Sequence, residues 1–248
     1  MSAKNHKNSK ETILFGRHPV ALALENKRRH IKEIFMVRGA FDETLIPEKV
    51  VVRYVPKEQI DALAGKGNLH QNVLAKVAPL TDYGIDELLS DVADMEKAVV
   101  LLLDQVTDPH NIGAILRSAA AFNASAVIVP DSGTPDESGV LAKSASGALE
   151  LIPFIRVPNL IRVMEKLKKA DFWCLGMDGG APKSIQEGSL PKKCAFVMGS
   201  EGDGMRRLTE ENCDYLIKLP INPDVESLNV SNATAIALYE WNRQQLLK

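Results

Sequence analysis

The stretch 99-VVLLLDQVTDPHNIGAILRS-118 decides how the chain is organised. Val99 to Leu103 form a continuous apolar run, the pattern of a strand buried on both faces. It runs directly into Asp104, Asp108, His110, Asn111 and Arg117. A loop that only turned the chain would need Gly, Pro or Asn, whereas this one also carries groups that can bind or polarise a ligand. IGAILRSAAAF then has helical spacing, so the strand ends in polar residues and the following helix carries Asn111 and Arg117.

The same pattern recurs from residue 97 onward. AVIVP, LIPFIRV, FWCLGM, CAFVMG and YLIKLPI are short and nearly all apolar, and helical segments such as NLIRVMEKLKKA separate most of them. Apolar strands alternating with helices predict an α/β fold with a parallel sheet covered on both faces. Ligands bind at the carboxyl ends of strands in such sheets. Besides DQVTDPHNIGAILRS, the loops MGSEGDGMRR and LPINPDVESLNVSNATA are rich in polar residues.

Upstream, helix-like spacing over FGRHPVALAL precedes a strand at 34–37, a second strand in VVRYVP, a short helix at DALAG and a third strand in NVLAKVAP. This predicts a small α/β domain over 1–75, with residues 1–10 disordered. The acidic segment 76–95, amphipathic enough for a short helix, is expected to link it to a second domain over 96–248. The net charge of -2 hides an asymmetry: residues 1–75 hold 13 Lys+Arg against 8 Asp+Glu, and the remainder 17 against 24. The basic front suits a polyanion, although a solvated basic face has the same composition. No apolar run approaches the roughly 18 residues of a membrane helix, and the polar start MSAKNHKNSK has no apolar signal core, so a cytoplasmic protein is expected. Cys174, Cys194 and Cys213 form no CxxC pair and have no His nearby in sequence; they are expected to be reduced packing residues, with no metal.

GSEGDG at 199–204 superficially resembles a phosphate-cradling turn. It lacks the GxGxxG spacing and any following Lys-Ser/Thr, and Glu201 and Asp203 would put carboxylates where a phosphate should lie. Glycines beside carboxylates suit a ligand with hydroxyls or a positive charge, such as an adenosine bearing a sulfonium; a simple tight turn is the alternative. In SLNVSNATA, N-capping explains one or two of the four Ser and Asn residues and leaves the others open. Arg117 could equally be a solvated helix residue, and His110 a loop histidine with a backbone partner.

Taken together, the three loops resemble the signature motifs of the SpoU, or TrmH, family of RNA ribose 2'-O-methyltransferases. DPHNIGAILRSAAAFNASAVIV matches the first, FVMGSEGDGMRRL the second and LPINPDVESLNVSNATAIALYEWNRQ the third. AKSASGALELIPFIRVPNL looks like the family's central segment, and FGRHPVALAL with LHQNVLAKV like its small N-terminal domain. The arrangement is most similar to the subgroup that methylates a guanosine in bacterial large-subunit (23S) ribosomal RNA; a transfer-RNA methyltransferase of the same fold, or a non-catalytic RNA-binding assembly factor, shares much of the pattern. One departure is Asn72, where that subgroup usually has Gly; Asn tolerates positive φ, so the turn is expected to survive. Asn232 stands where relatives are small or apolar.

The resemblance implies a C-terminal SPOUT domain with a trefoil knot, preceded by a ribosomal-protein L30e-like RNA-binding domain, in an obligate homodimer. It implies S-adenosyl-L-methionine as cofactor, with Gly199, Leu219, Ile221 and Leu228 lining its pocket. Asn111, Arg117, Glu201, Ser227 and Asn229 are the implied catalytic set. Arg17, Lys27, Arg28, Arg29 and Lys32 are expected to bind RNA phosphates, though NKRRH could also be an exposed helix end.

Overall fold

A computed structural model of the chain describes residues 11–65, 69–81, 83–135 and 139–246. Residues 1–10, expected to be disordered, lie outside the described residues. Its contacts divide the chain into two units, Met1–Thr81 with Glu137–Leu151, and Asp82–Asp136 with Ile152–Lys248.

In the first unit, β1 (Thr12–Phe15), β2 (Ile31–Met36), β3 (Val51–Tyr54) and β4 (Val73–Val77) form a sheet in the order β1-β4-β2-β3. β4 is antiparallel to β1 and β2, and β3 is parallel to β2. Helices α1 (Arg17–Glu25) and α2 (Lys57–Ala64) pack on this sheet. Phe35, Ile60 and Leu74 are buried together, with Ile13, Phe15 and Leu63 packed against them. β1 was not expected: it is four residues long, and its partner lies some sixty residues along the chain. β4 carries the sheet to Val77, past the expected boundary at 75. Asn72 has φ 61°, the left-handed conformation that Asn was expected to tolerate in this turn.

The second unit opens with α3 (Ile85–Asp91), β5 (Ala98–Leu103), α4 (Pro109–Ala121) and β6 (Ala126–Pro130). α3 lies within the expected linker, yet Leu88 and Val92 are buried in this unit's core. The chain then contributes α5 (Gly139–Ala145) and α6 (Ala148–Leu151) to the first unit. It returns as β7 (Phe154–Val157), α7 (Leu160–Lys169), β8 (Trp173–Met177), β9 (Lys183–Ser184), β10 (Lys193–Met198), α8 (Arg207–Glu211), β11 (Tyr215–Lys218) and α9 (Val230–Leu246).

Seven strands form a parallel sheet in the order β7-β6-β5-β10-β8-β11-β9. All six residues of β5 are buried, as its uninterrupted apolar sequence requires. Ile112, Ile115, Leu116 and Ala119 form the buried stripe of α4, and Leu160, Val163, Met164 and Leu167 that of α7, both with i, i+3, i+4, i+7 spacing. α4 packs against α9. From β5 the chain builds outward to β7, then crosses to the other side, and β10 comes back beside β5. That reversal opens a crevice at the carboxyl ends of the strands. β11 stops at Lys218, earlier than its apolar sequence suggests, and Leu219 and Ile221 line a cleft with Met177 and Met198 at the carboxyl ends of β8 and β10.

Candidate active site

α4 starts cleanly because Asp108 caps it, its Oδ1 accepting from the His110 N–H at 2.9 Å, and Pro109 occupies the first helical position. Asn111 is thereby fixed in the first turn. The loop after β10 is closed by Ser200 N–H to Gly204 O at 3.0 Å and Gly204 N–H to Ser200 O at 3.2 Å. Gly202 and Gly204 have φ of 92° and 67°, which L side chains rarely adopt. At Gly199 a Cβ would lie 2.2 Å from the Gly204 carbonyl carbon, so the loop folds back over a position only glycine can fill.

These two loops meet the start of α9 in one polar cluster. Glu201 Oε1 accepts from Asn111 Nδ2 at 3.1 Å and from Val230 N at 3.2 Å, and it also accepts from Asn229 Nδ2. Asn229 Nδ2 donates to Asn111 Oδ1 at 3.0 Å as well. The other end of Asn229 is the cap of α9: its Oδ1 accepts from Ser231 N at 2.9 Å and Ser231 Oγ at 2.6 Å. One asparagine thus serves both as helix cap and as a fixed donor to Glu201.

Beside the cluster lies a cleft of about 330 Å³. Gly199, Leu219, Ile221 and Leu228, the four expected cofactor residues, all line it, as do Glu201 and Ser227. Met177, Met198 and Val230 add apolar wall, while Asp178, Asp203 and Glu226 join Glu201 against a single Lys218. An apolar cleft with an acidic rim and a glycine-tight floor accepts an aromatic ring, hydroxyls and a positive charge, and so fits S-adenosylmethionine. Glu201 belongs to both cleft and cluster. Arg117 does not join either: it is exposed on α4, and its side chain has no hydrogen bond or ion pair among the described residues. Among those residues no group of three or more His, Cys, Asp or Glu could hold a metal ion.

Asp104 was not anticipated as part of this site. Its side chain is fully buried at the end of β5, where it accepts from Arg206 N at 2.9 Å and Nε at 2.8 Å and pairs with the terminal guanidinium nitrogen at 2.5 Å. An Asp ending an apolar strand, with an Arg next to the glycine loop, was the available signal. Asp178 and Glu226 were also missed, although Asp178 likewise follows a strand directly.

The expected RNA-binding set is dispersed within the first unit. Arg29 is a correction: it is 6% exposed, its Nε donates to both carboxylate oxygens of Glu150 at 3.0 Å, and NH1 donates to Ala78 O at 2.7 Å. Its charge is consumed inside the fold, which no local sequence feature betrays, since Glu150 is 121 residues away. Arg28 is half-buried, and its N–H donates to Asn26 Oδ1 at 3.0 Å. Lys32 pairs with Glu11 at 2.9 Å on the surface. Lys27 is exposed, and Arg17 is exposed at the opposite end of α1. His70 is buried, with Nε2 2.6 Å from Asp61 Oδ1 and Nδ1 accepting from Asn72 N at 3.1 Å, so it fixes the 70–72 turn.

Cys174 and Cys194 are buried and Cys213 is partly so, all with free thiols. Burial pushes the Cys174 and Cys213 thiols up to about 12, with Asp214 adding to the effect at Cys174. No helix among the described residues is long and apolar enough to cross a membrane.

Comparison with known proteins gives a consistent picture. The model of the SpoU rRNA Methylase family matches residues 98–239, and that of RNA 2'-O ribose methyltransferase substrate binding matches 13–83. The 23S rRNA (guanosine-2'-O-)-methyltransferase RlmB of Salmonella typhimurium is 39% identical over 240 residues, covering 94% of this chain and 98% of the relative. That of Haemophilus ducreyi is 40% identical over 244 residues, with 94% and 98% covered. Among solved structures, the SpoU methyltransferase AviRb from Streptomyces viridochromogenes in complex with AdoMet superposes with a TM-score of 0.80 at 24% identity, over 95% of this chain and 91% of that one. An AdoMet-bound rRNA methyltransferase from Sinorhizobium meliloti gives 0.78 at 22% identity, over 96% and 88%.

Proposed function

The chain belongs to the SpoU rRNA methylase family, and from that membership we propose that it methylates the ribose 2'-hydroxyl of a guanosine in 23S rRNA, using S-adenosylmethionine. The observation that carries the reading is the Glu201–Asn111–Asn229 cluster at the rim of the glycine-floored, acid-rimmed cleft, in a chain aligned almost end to end with relatives named for that reaction.

S-adenosylmethionine, when bound, supplies an electrophilic methyl carbon on a sulfonium that leaves as a neutral thioether, so no Lewis acid is required. Gly199, Leu219, Ile221 and Leu228, which line the cleft, would hold the cofactor. Glu201 accepts three N–H donors on one oxygen, which fixes its carboxylate and, through it, the amides of Asn111 and Asn229. That rigid array positions the ribose, with Ser227 at the cleft edge. A guanidinium with pKa above about 12 is a poor proton acceptor, so Arg117 anchors the neighbouring phosphate and stabilises negative charge developing on the 2'-oxygen, while the proton passes to water. Its side chain, exposed and without an internal partner among the described residues, is available to an RNA phosphate.

The same reading assigns RNA capture to an L30e-like N-terminal unit, with Arg17 and Lys27 as its exposed cations. It also assigns a trefoil-knotted catalytic unit, a homodimer and a cytoplasmic location. Ile236 and Tyr239, exposed on α9 at 44% and 56%, support a dimer surface.

Transfer of labelled methyl to separated large-subunit rRNA, small-subunit rRNA and tRNA tests the proposal. Label only in large-subunit rRNA, resistant to alkali at one dinucleotide and lost with Arg117→Ala, is the expected result. Label in tRNA overturns the substrate, and no label in any pool overturns the activity.

A further inference from the structure

The first unit contains a hollow of about 330 Å³ between β1, the first turn of α1, the turn before β4, and α5. Phe15, Pro19 and Leu69 supply apolar wall, and His18, Gln71 and Lys143 supply polar groups. Its volume sits at the low end of the roughly 300–1,000 Å³ of small-ligand sites, which fits one flat ring system and excludes a duplex.

The Gln71 amide is held in place. Gln71 Oε1 accepts from Arg17 N at 2.8 Å, which orients the amide and leaves Nε2 without an acceptor among the described residues. Gln71 and Asn72 have successive positive φ, 51° and 61°, a conformation costing on the order of 1–3 kcal/mol at each non-glycine and typical of ligand clamps. The buried His70 locks that turn through Asp61 and Asn72 N. On the far wall, a Cβ at Gly147 would lie 2.8 Å from Leu22 Cδ1, so the α5–α6 turn is seated closely on α1. The buried Arg29–Glu150 pair and Asn26 Nδ2 to Glu150 Oε2 at 2.8 Å fasten the same segment. Lys143 therefore belongs to the hollow even though the substrate-binding family match ends at residue 83.

An apolar slot with a fixed amide at its edge and an exposed lysine at its mouth has the means by which proteins read unpaired RNA bases. We propose that this hollow binds one unpaired nucleobase of the RNA substrate, with Gln71 reading the base edge and Lys143 holding an adjoining phosphate. The inference rests on the proposed rRNA substrate. His18 is shared with a second, open hollow containing Arg17, Gly39 and Phe41, where the adjoining nucleotide would run.

The test uses the full-length protein and an in vitro transcript of 23S rRNA carrying 4-thiouridine, with photo-crosslinked peptides mapped and Kd measured by filter binding. Crosslinks are expected within 13–19, 69–71 or 142–146. Lys143→Ala and Gln71→Glu, the latter keeping the acceptor for Arg17 N, should each raise Kd roughly tenfold. Lys49→Ala, which removes an exposed cation elsewhere in the unit, should not. Crosslinks confined to other peptides, with both variants binding like Lys49→Ala, overturn the pocket. Methyl transfer in the same samples separates the two ideas: its absence with these crosslinks present refutes the reaction and keeps the pocket, and its presence without them does the reverse.

Discussion

The guanidinium of Arg206 closes on the buried carboxylate of Asp104, joining the end of β5 to the residue that follows the 199–205 loop. Asp104 belongs to the segment that leads into Asn111, and Arg206 to the one that carries Gly199 and Glu201. The pair therefore sets the spacing between the two loops whose side chains meet in the Glu201 cluster. Because Asp104 also accepts from the Arg206 backbone N–H, the contact fixes the main chain as well as the side chain.

Removing one partner of a buried pair leaves an uncompensated charge, at a cost of about 3–5 kcal/mol. Arg206 is half exposed, which places Arg206→Leu toward the lower end of that range. The double variant Asp104→Leu with Arg206→Leu should recover part of the loss in urea unfolding, because no orphaned carboxylate remains. S-adenosylmethionine affinity should stay weakened in the double variant. Recovery of stability and cofactor affinity together would show that the pair has no positioning role.

Arg117 is exposed and does not support the fold, so Arg117→Ala should leave the unfolding midpoint within about 0.5 kcal/mol of the parent. Its loss should nevertheless lower kcat by on the order of a hundredfold or more, the size of removing one donor to a developing oxyanion. Arg117→Lys should restore only part, since an ammonium keeps the charge without the planar fork. In a pH–rate profile for Arg117→Lys, a rate that falls as pH rises through the lysine range fits the electrostatic role, whereas a rate that rises through it would contradict that role and support a base.

The parallel sheet was legible because β5 and β6, and β10 from Cys194 onward, are buried on both faces and apolar without interruption. The cleft residues were legible through the family motifs, and Gly199 has a steric reason that applies in isolation. What could not be read depends on distant partners. Arg29 was expected to bind RNA phosphates because it sits in the basic run NKRRH, while Glu150, its partner, lies 121 residues away in the central segment. β1 was hidden for the same reason, as was the place of α5 and α6 in the first unit. Asp104 resembled one more loop acid until Arg206 was seen to close on it.

Arg29 is buried against Glu150. Arg29→Met should destabilise the protein by about 3–5 kcal/mol by orphaning Glu150, and the double variant Arg29→Met with Glu150→Met should regain much of that. RNA affinity of the double variant at low salt should match the parent, because a buried guanidinium contacts no phosphate. A salt slope reduced by about one phosphate contact would return Arg29 to the RNA-binding set.

The thiols predict a pH window. Cys174 and Cys213 keep their protons in the folded chain up to about 12, against an ordinary value of 9.0. The unfolded chain therefore releases protons first as pH rises, so this contribution to stability is complete below about pH 9 and is lost progressively toward about pH 12. Urea midpoints should fall across that window, and less steeply for Cys213→Ala. Native protein at about pH 8 should react with a thiol reagent far more slowly than protein in denaturant. Equal rates would mean that the thiols are accessible and not pushed up by burial.

The cluster itself can be tested by adding a charge to it. Asn229→Asp keeps the oxygen that caps Ser231 N and places a second carboxylate against Glu201, where the amide Nδ2 now donates. Two carboxylates in contact cannot both ionise cheaply, so one of them should hold its proton above the usual carboxylate range and donate it to the other. That pair is stabilising at low pH and becomes repulsive as pH rises through the raised pKa. Relative to the parent, the Tm of Asn229→Asp should therefore be close at about pH 5 and depressed at about pH 8, and Glu201→Gln in the same background should abolish the pH dependence. A depression equal at both pH values would mean that Asn229 and Glu201 do not face each other in solution, and the positioning role drawn from their contact would fail with it.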